Sequence, residues 1–593
     1  MSDYGRIALG SLAGAALAAA AAPLIKPLFS VPSQGIGAVT VAGYPKGWDH
    51  AVVALLALGA FVGGAVVVLL WSSARRGVRY QVSGASRPGE TPQTPDTRHH
   101  PRTVWALAAI VFVTMLFLHD HPYAHMDPFH EGERLVPAWL YQHGARPFAD
   151  VFVLHGLATD GGLDALVLGD PPNPLRTRRL QTVLDALVLA LLVPIAAEVT
   201  VTSGGLIAAV ILSLCASAAL WVPVFPYFRL APLFLAALGL LRYVRTGRGL
   251  FLAFASSTLG LLWSLDTGTY AVVGTAVAYA IIRIAKLARN ELPWKRVLVY
   301  AVIALLLPVV VLLALRGDVR QFFVDSYVII PATSDAAGAL PAPKPFTVVG
   351  ARYYLPPVFY GFLFAIALLH LRRGEKLLAA QIGVIALLSL LLFRSASGRV
   401  GWSHTRFATI FLGVAIAGFV LERLRSKVAI ALIAIAMVFY LEVPQNFQAG
   451  AKLLAGWRAR QKPEGLVRHP LVRGIYTSEE NAIELSTLNA YIQSLGPGPI
   501  LDFTNERALY LFLRRKPPAR AFDIGMLSSP RLMRETMAEL EQNRPVAVIL
   551  GGYPAVAVFD GVPNQQRVPR LAAWIDANYK KRTEIGRFTV ATP

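Results

Sequence analysis

A short polar stretch between two apolar segments carries the side chains with the clearest chemical potential. It runs from His119 to Arg134 and holds four carboxylates and four histidines. Carboxylates beside an apolar segment cost desolvation energy unless they are paired or used. One of them could act as a general base that takes the proton of a hydroxyl group. We predict Asp127 and Glu131 as the catalytic pair and leave open which of them is the base. The alternative is that Asp127 begins a helix ahead of Pro128 as its cap.

Other polar side chains on the same predicted face are candidates for substrate binding. Arginine offers a planar fork that suits phosphate oxygens. The candidates are His130, Glu133, Asp150, His155, Arg229, Asp266, Arg399 and His404. Simpler roles are open for several of them: Arg399 and His404 could anchor to lipid phosphate, Asp150 and His155 could fix a turn, and Asp266 could cap a helix. The histidines beside carboxylates also allow a divalent cation, Mg²⁺ or Mn²⁺, although no zinc-type H-E-x-x-H spacing is present.

The composition indicates that membrane-spanning helices hold these residues in place. Of 593 residues, 55% are apolar and 15% are charged, and runs of about 20 apolar residues cross a bilayer as helices. We predict thirteen spans: Ile7–Phe29, Ala51–Trp71, Val104–Leu118, Leu180–Val199, Gly204–Leu220, Leu230–Tyr243, Leu250–Leu265, Tyr270–Ile284, Val297–Leu315, Pro356–Leu371, Leu377–Phe393, Phe407–Leu421 and Val428–Leu441. The first could instead be a cleaved signal peptide. The lone cysteine, Cys215, excludes an intramolecular disulfide.

Charge gives the predicted orientation of these spans. The net charge of +21 gathers in short loops on alternate connections, around 75–102, 242–248, 283–296, 372–376 and 423–427. This pattern is typical of cytoplasmic loops and argues against nucleic acid as a partner. It places the N-terminus in the cytoplasm of a bacterial cell and the polar loop 119–179 outside the plasma membrane.

The last part of the chain changes character. Strands at Pro499–Phe503, at Val546–Leu550 and near Glu584–Val590 alternate with helices at Glu506–Arg515, Pro530–Asn543 and Arg570–Lys581. Such alternation predicts a small α/β domain. The chain therefore divides into two N-terminal spans and a basic loop (1–103), a transmembrane core (104–445) and an extracytoplasmic α/β domain (446–593).

This arrangement resembles the GT-C superfamily of membrane glycosyltransferases, which includes aminoarabinose transferases, protein O-mannosyltransferases and arabinofuranosyltransferases. The shared features are the acidic cluster in the first long outer loop, the surface helices after it, the turn from Gly144 to Asp150, and the outer C-terminal domain. The family usually has Asp-Glu where this chain has His130-Glu131. The resemblance implies an inverting transfer that uses a carboxylate base and a polyprenyl-phosphate sugar donor.

We therefore expect an enzyme that moves a sugar to an envelope glycan, lipid or protein in polysaccharide or envelope biosynthesis. Two alternatives stay open. A secondary transporter would need charged or broken sites near mid-span and repeated halves. A non-catalytic assembly subunit for envelope polysaccharide would use the outer domain for docking.

Overall fold

The computed structural model describes residues 3–29, 46–79, 99–119, 126–219, 226–336, 342–398, 402–423, 465–527, 529–552, 558 and 561–593. Helices dominate these ranges, and small sheets lie in the C-terminal part. The predicted class, a polytopic helical protein with a C-terminal α/β domain, is confirmed.

Ten helical segments within the described ranges are long and apolar enough to cross a membrane. They are Asp3–Leu28, Gly47–Leu70, Pro101–His119, Pro174–Val199, Tyr227–Thr246, Leu265–Ile284, Trp294–Ala314, Val348–Arg372, Lys376–Ala396 and Ser403–Arg423. Two shorter apolar helices, Ser203–Ala216 and Leu250–Trp263, fall on two further predicted spans. The predicted span Val428–Leu441 lies outside the described residues.

The helices are numbered here in chain order. In the N-terminal and core parts they are α1 (Asp3–Ile25), α2 (Lys46–Arg79), α3 (Pro101–His119), α4 (His130–Gln142), α5 (Pro174–Ala190), α6 (Leu192–Val199), α7 (Ser203–Ala216), α8 (Ala231–Thr246), α9 (Leu250–Trp263), α10 (Leu265–Ile284), α11 (Trp294–Ala314), α12 (Val319–Val324), α13 (Ile330–Ala336), α14 (Val348–Arg372), α15 (Lys376–Phe393), α16 (Trp402–Ala408) and α17 (Leu412–Phe419). A 3₁₀ turn, Tyr227–Leu230, leads into α8.

The first two helices pack closely against each other and against the core. A side chain at Gly14 of α1 would collide with the backbone of Gly59 in α2, and one at Gly361 of α14 would collide with Ala57. Small residues allow helix backbones to approach closely where lipid supplies no hydrophobic drive for association. This hairpin is therefore part of the packed bundle.

The two ends of α8 differ in chemistry. Arg229 lies in the turn just before the helix, whereas Arg242 and Arg245 in its last turns pair with Glu198 of α6. At 1.5 Å per residue the helix is about 24 Å long, so the two charged groups lie at opposite ends of a candidate membrane span. The cationic end leads into 242–248, one of the segments that the charge pattern predicts to be cytoplasmic.

The C-terminal part forms a four-stranded mixed sheet in the order β3-β4-β6-β5. Its strands are β3 (Ile500–Asp502), β4 (Ala547–Gly551), β5 (Lys581–Ile585) and β6 (Phe588–Thr592); a separate hairpin pairs β1 (Leu466–Arg468) with β2 (Tyr476–Ser478). Strand β3 runs parallel to β4, and β6 is antiparallel to β4 and β5. The helices are α18 (Glu479–Ser494), α19 (Leu509–Phe512), α20 (Pro530–Gln542), α21 (Asn564–Arg567) and α22 (Pro569–Asn578).

Three details of this domain differ from the sequence expectation. The single strand predicted near Glu584–Val590 is a hairpin, because Gly586 adopts a φ of 57° and reverses the chain between β5 and β6. The predicted helix Glu506–Arg515 is reduced to α19, since Asp502, Thr504 and Glu506 fold the preceding segment into a turn with side chain–backbone hydrogen bonds. Helix α18, the short helix α21 and the hairpin of β1 and β2 were not predicted.

Candidate active site

The polar loop enters helix α4 through Asp127. One carboxylate oxygen of Asp127 accepts hydrogen bonds from the amides of Phe129 (2.9 Å) and His130 (3.1 Å). The other oxygen lies 2.6 Å from Nδ1 of His130. Burial raises the pKa of Asp127, but the His130 contact and these amides outweigh it and lower that pKa below its usual value; the same contact raises the pKa of His130. Asp127 thus has the contacts of a helix-start residue.

Glu131 is held in an ion pair inside the loop. Nε and Nη2 of Arg178, on α5, donate to its two oxygens at 2.7 and 2.9 Å. Its Oε2 also accepts from the amide of Asp127 at 3.1 Å. Only 16% of the Glu131 side chain and 14% of the Arg178 side chain are exposed. Both oxygens of Glu131 are therefore engaged by a fork-to-fork pair that fastens α4 to α5.

Glu133 faces a different part of the molecule. Its Oε1 lies 2.8 Å from Nη1 of Arg507, which belongs to the C-terminal domain. The Arg507 side chain is 1% exposed, and its Nη2 lies 2.6 Å from Oδ2 of Asp523. Glu133 is 21% exposed and borders a cleft between the polar loop and the domain.

His155 and Asp160 form a second polar pair at this cleft. Nδ1 of His155 lies 3.1 Å from Oδ1 of Asp160, and Oδ2 of Asp160 accepts from the amides of Leu154 and His155 at 2.7 Å each. Burial lowers the pKa of His155, but the Asp160 carboxylate outweighs it and raises that pKa above its usual value. Because Asp160 fixes Nδ1, the other ring nitrogen, Nε2, is the one left for a ligand.

A break in the helical backbone determines the position of the Asp160 side chain. The predicted amphipathic segment Leu157–Gly169 is broken at Asp160 and Gly161, and Gly161 has a φ of 87°. A side chain at Gly161 would press on the backbone of Arg134 and Ala138 in α4. Glycine is required there by both the backbone conformation and the close approach. The break turns the Asp160 carboxylate back toward His155.

The cleft lies against the ends of two membrane helices. The amide of Leu265 donates to the carbonyl of His155 at 2.6 Å, and Oγ1 of Thr159 donates to the carbonyl of Trp263 at 2.8 Å. These contacts fix the loop where α9 ends and α10 begins. The carboxylate and histidine of the cleft therefore lie at the edge of the helical bundle.

Arg229 and Asp266 lie at the same edge. Nη2 of Arg229 donates to Asp266 at 2.8 Å, and its Nε donates to Ser264 at 3.2 Å. Asp266 also accepts from the Ser264 hydroxyl and from the amide of Thr267, as a helix-start residue does. Arg229 is close enough to interact electrostatically with Asp160 and Glu133. Of the predicted residues, Glu133 and His155 thus border the cleft, and the Arg229–Asp266 pair lies near them without lining it.

The cleft has a polar wall and an apolar wall. About 380 Å³ in and in front of the cleft is not filled by protein atoms, a volume that includes space open to solvent. The polar groups are Glu133, His155, Asp160 and Asp523; the apolar ones are Phe152, Leu154, Ala521, Phe522, Met526 and Leu532. The apolar wall comes mainly from the C-terminal domain.

The other predicted residues lie elsewhere. Asp150 closes the predicted turn by accepting from the amide and Nε of Arg146 at 2.8 and 3.0 Å, and Arg146 lowers its pKa. Its side chain is 41% exposed, and it does not border the cleft. His404 lies on α16, next to Ser403. Arg399 lies outside the described residues.

The sequence analysis missed two residues that line the cleft, Asp160 and Asp523, and the arginine between Glu133 and Asp523, Arg507. A signal existed for Asp160, because Asp160-Gly161-Gly162 is a turn sequence inside an apparently amphipathic segment. Arg507 and Asp523 approach the loop only through the tertiary fold, for which a single sequence has no local signal. Within the described ranges, no three His, Cys, Asp or Glu side chains come together as a metal site.

Comparison with known proteins shows a similarity in backbone fold to a solved structure. No family model and no curated protein matches the sequence. A solved structure with a similar path is the crystal structure of ArnT from Cupriavidus metallidurans bound to undecaprenyl phosphate, with a TM-score of 0.43 and 12% identity. The match covers 82% of this chain and 97% of that chain. Similarity this low leaves function to be inferred from the side chains of the present protein.

Proposed function

We propose that this protein is a membrane glycosyltransferase of the GT-C type that moves a sugar from a polyprenyl-phosphate donor to an acceptor hydroxyl. The acceptor would be an envelope glycan, lipid or protein at the outer face of a bacterial plasma membrane. One observation carries the proposal: Glu133 and the His155–Asp160 pair converge on one cleft at the edge of a bundle of membrane-length helices, and Arg229 lies close enough to interact electrostatically with Glu133 and Asp160.

The depth of the cleft suits a lipid-linked donor. A polyprenyl chain lies in the hydrocarbon, and its phosphate stays at the head-group level. His155 borders the cleft, and its carbonyl accepts from the amide of Leu265 at the start of α10, so a donor phosphate at that level would lie beside His155 and near Arg229. Holding donor and acceptor together in this way supplies much of the rate enhancement.

The chemistry requires a base and a cation. In the proposed step the base takes the acceptor's proton, the acceptor oxygen bonds to the anomeric carbon, and the bond from that carbon to the phosphate oxygen breaks. The phosphate leaves with the electron pair, and a single displacement inverts the anomeric centre. Three carboxylates border the cleft, those of Glu133, Asp160 and Asp523. Asp160 is bound by His155 and two backbone amides, and Asp523 lies 2.6 Å from the fully buried Arg507, so we assign Glu133 the role of base. Protonated His155 and Arg229 would stabilise the charge that develops on the phosphate.

The earlier prediction that Asp127 or Glu131 is the base stays open to test. Their contacts favour a structural role, because Asp127 binds the first amides of α4 and Glu131 binds Arg178. A base must reach the acceptor hydroxyl, and neither residue borders the cleft.

Sugar transfer tests the function directly. Purified protein in liposomes with radiolabelled polyprenyl-phosphate sugars and envelope acceptors should transfer label, and Glu133→Gln should abolish most of it. A transporter would move a solute without forming product. A docking subunit would support its partner enzyme equally well with Glu133→Gln. Either result would remove the enzyme assignment.

Labelling tests the proposed orientation. Cys215, the lone native cysteine, is buried and can be replaced by alanine. Lys580→Cys on the C-terminal domain should react with a membrane-impermeant maleimide in intact spheroplasts. Arg248→Cys, after the far end of α8, should react only after permeabilisation. The reverse pattern would place the cleft in the cytosol and contradict the proposal.

A further inference from the structure

The C-terminal domain contacts the start of α4 through one buried arginine. Nη1 of Arg507 donates to the carbonyl of Phe129 at 3.0 Å, and the guanidinium carbon lies 3.7 Å from the centre of the Phe129 ring. The next residue, Ala508, donates its amide to the carbonyl of Pro128 at 3.0 Å. The domain is therefore docked on the polar loop by main-chain and side-chain contacts together.

Gly132 makes this approach possible. A side chain there would come within 2.6 Å of the Ala508 nitrogen and 2.8 Å of the Arg507 Cβ. Because these are backbone and near-backbone atoms, they cannot yield without moving the domain. The glycine between Glu131 and Glu133 thus marks the point where the domain presses on the helix.

Arg507 also supplies the positive charge that pairs with the Glu133 carboxylate. A buried guanidinium is stable only when it is paired, and Arg507 lies between Glu133 at 2.8 Å and Asp523 at 2.6 Å. Truncating such a group leaves its partners unpaired in a site of low dielectric constant. The fork of arginine can contact both carboxylates at once, which the single ammonium of lysine does less well.

We propose that Arg507 is a positioning residue for the transfer reaction, through which the C-terminal domain holds the Glu133 carboxylate at the cleft. This inference rests on the proposed function. It makes the C-terminal domain a component of the active site, because the acid–base group lies on the loop and its cation lies on the domain. An enzyme with the domain undocked would retain Glu133 without the group that orients it.

A double-mutant cycle on transfer kinetics tests the inference. Arg507→Gln should lower kcat about 100-fold with little change in KM, the size of loss that a misplaced catalytic group produces. Arg507→Lys, which keeps the charge, should recover part of the loss. In a Glu133→Gln background, Arg507→Gln should have almost no further effect, because the group it positions is absent.

Arg515→Gln is the matched control. Arg515 is also a buried arginine of the C-terminal domain, but it donates to Ile492 and Gln493 inside the domain. This change should lower the unfolding temperature and leave kcat per folded molecule near the wild-type value. Gly132→Ala, which keeps every charge and displaces residues 507 and 508, should lower kcat as Arg507→Gln does.

The outcomes separate the two proposals. If Glu133→Gln is as active as the wild type, the proposed base is wrong. If Glu133→Gln keeps only a small residual rate and Arg507→Gln lowers kcat by the same factor in both backgrounds, or no more than Arg515→Gln does, the base assignment stands and the positioning role of Arg507 is refuted.

Discussion

Glu131 and Glu133 lie two residues apart on α4 and have opposite surroundings. Successive helical residues are about 100° apart, so these two carboxylates point in directions that differ by about 200°. Glu131 faces α5 and is bound by both arms of Arg178, whereas Glu133 faces the cleft and the C-terminal domain. The same residue type at nearly the same place in the sequence therefore serves two purposes. One carboxylate fastens the loop to the bundle, and the other borders the cleft.

The largest expected effect concerns Glu133. Glu133→Gln should lower the rate of sugar transfer by about 100-fold or more, the usual contribution of a general base. The control is Glu131→Gln, an identical change one half-turn away, measured in the same liposomes. Equal losses from the two variants would remove the distinction between the two faces of α4.

The next effect concerns stability. Glu131→Gln replaces the charged acceptor that Nε and Nη2 of Arg178 bind in a largely buried position, and it should cost about 2 kcal/mol of unfolding free energy. Thermal unfolding in detergent measures it. Activity assayed well below the unfolding temperature should stay close to that of the wild type. A loss of activity without a loss of stability would return Glu131 to the catalytic role first predicted.

A smaller effect is expected in the pH dependence. If protonated His155 binds the donor phosphate, kcat/KM should fall as the pH rises through the His155 pKa. The Asp160 carboxylate raises that pKa, so Asp160→Asn should move this alkaline limb to lower pH. The profile of transfer rate against pH measures the shift, with Asp150→Asn, a residue away from the cleft, as control. An unmoved or upward-moving limb would exclude His155 as the titrating cation.

The smallest effect is expected at Asp127. Asp127→Ala removes the acceptor for two amides at the start of α4 and should cost about 1 kcal/mol of stability. Asp127→Asn, which can still accept from these amides, should cost less. Transfer by both variants should remain near the wild-type rate. A loss as large as that of Glu133→Gln would identify Asp127 as the base instead.

The membrane spans could be predicted from the sequence alone. Each span must satisfy its backbone polar groups within lipid, and this requires a helix whose length and apolar composition are visible in a short stretch of sequence. Helices lie at twelve of the thirteen predicted spans, and Val428–Leu441 is outside the described residues. Patterns within short stretches of sequence also identified the polar loop and two of the four strands of the main sheet, β3 and β4.

The roles of the carboxylates could not be assigned in this way. Whether Glu131 or Glu133 borders the cleft depends on Arg178 and Arg507, and Arg507 arrives from the C-terminal domain. The place of Asp160 depends on a break in what has the pattern of a continuous amphipathic helix. The sequence predicted that Arg229, Asp266 and His155 lie on the same face of the membrane. It did not predict that Arg229 and Asp266 lie near His155.

The most direct test is a cryo-EM structure of the protein with a non-hydrolysable polyprenyl-phosphonate sugar. The account predicts density for the sugar in the cleft, with its anomeric carbon facing Glu133 and its phosphonate contacting His155 or Arg229. Density for the head group beside Asp127 or at the Arg242 end of α8, with the cleft empty, would contradict it.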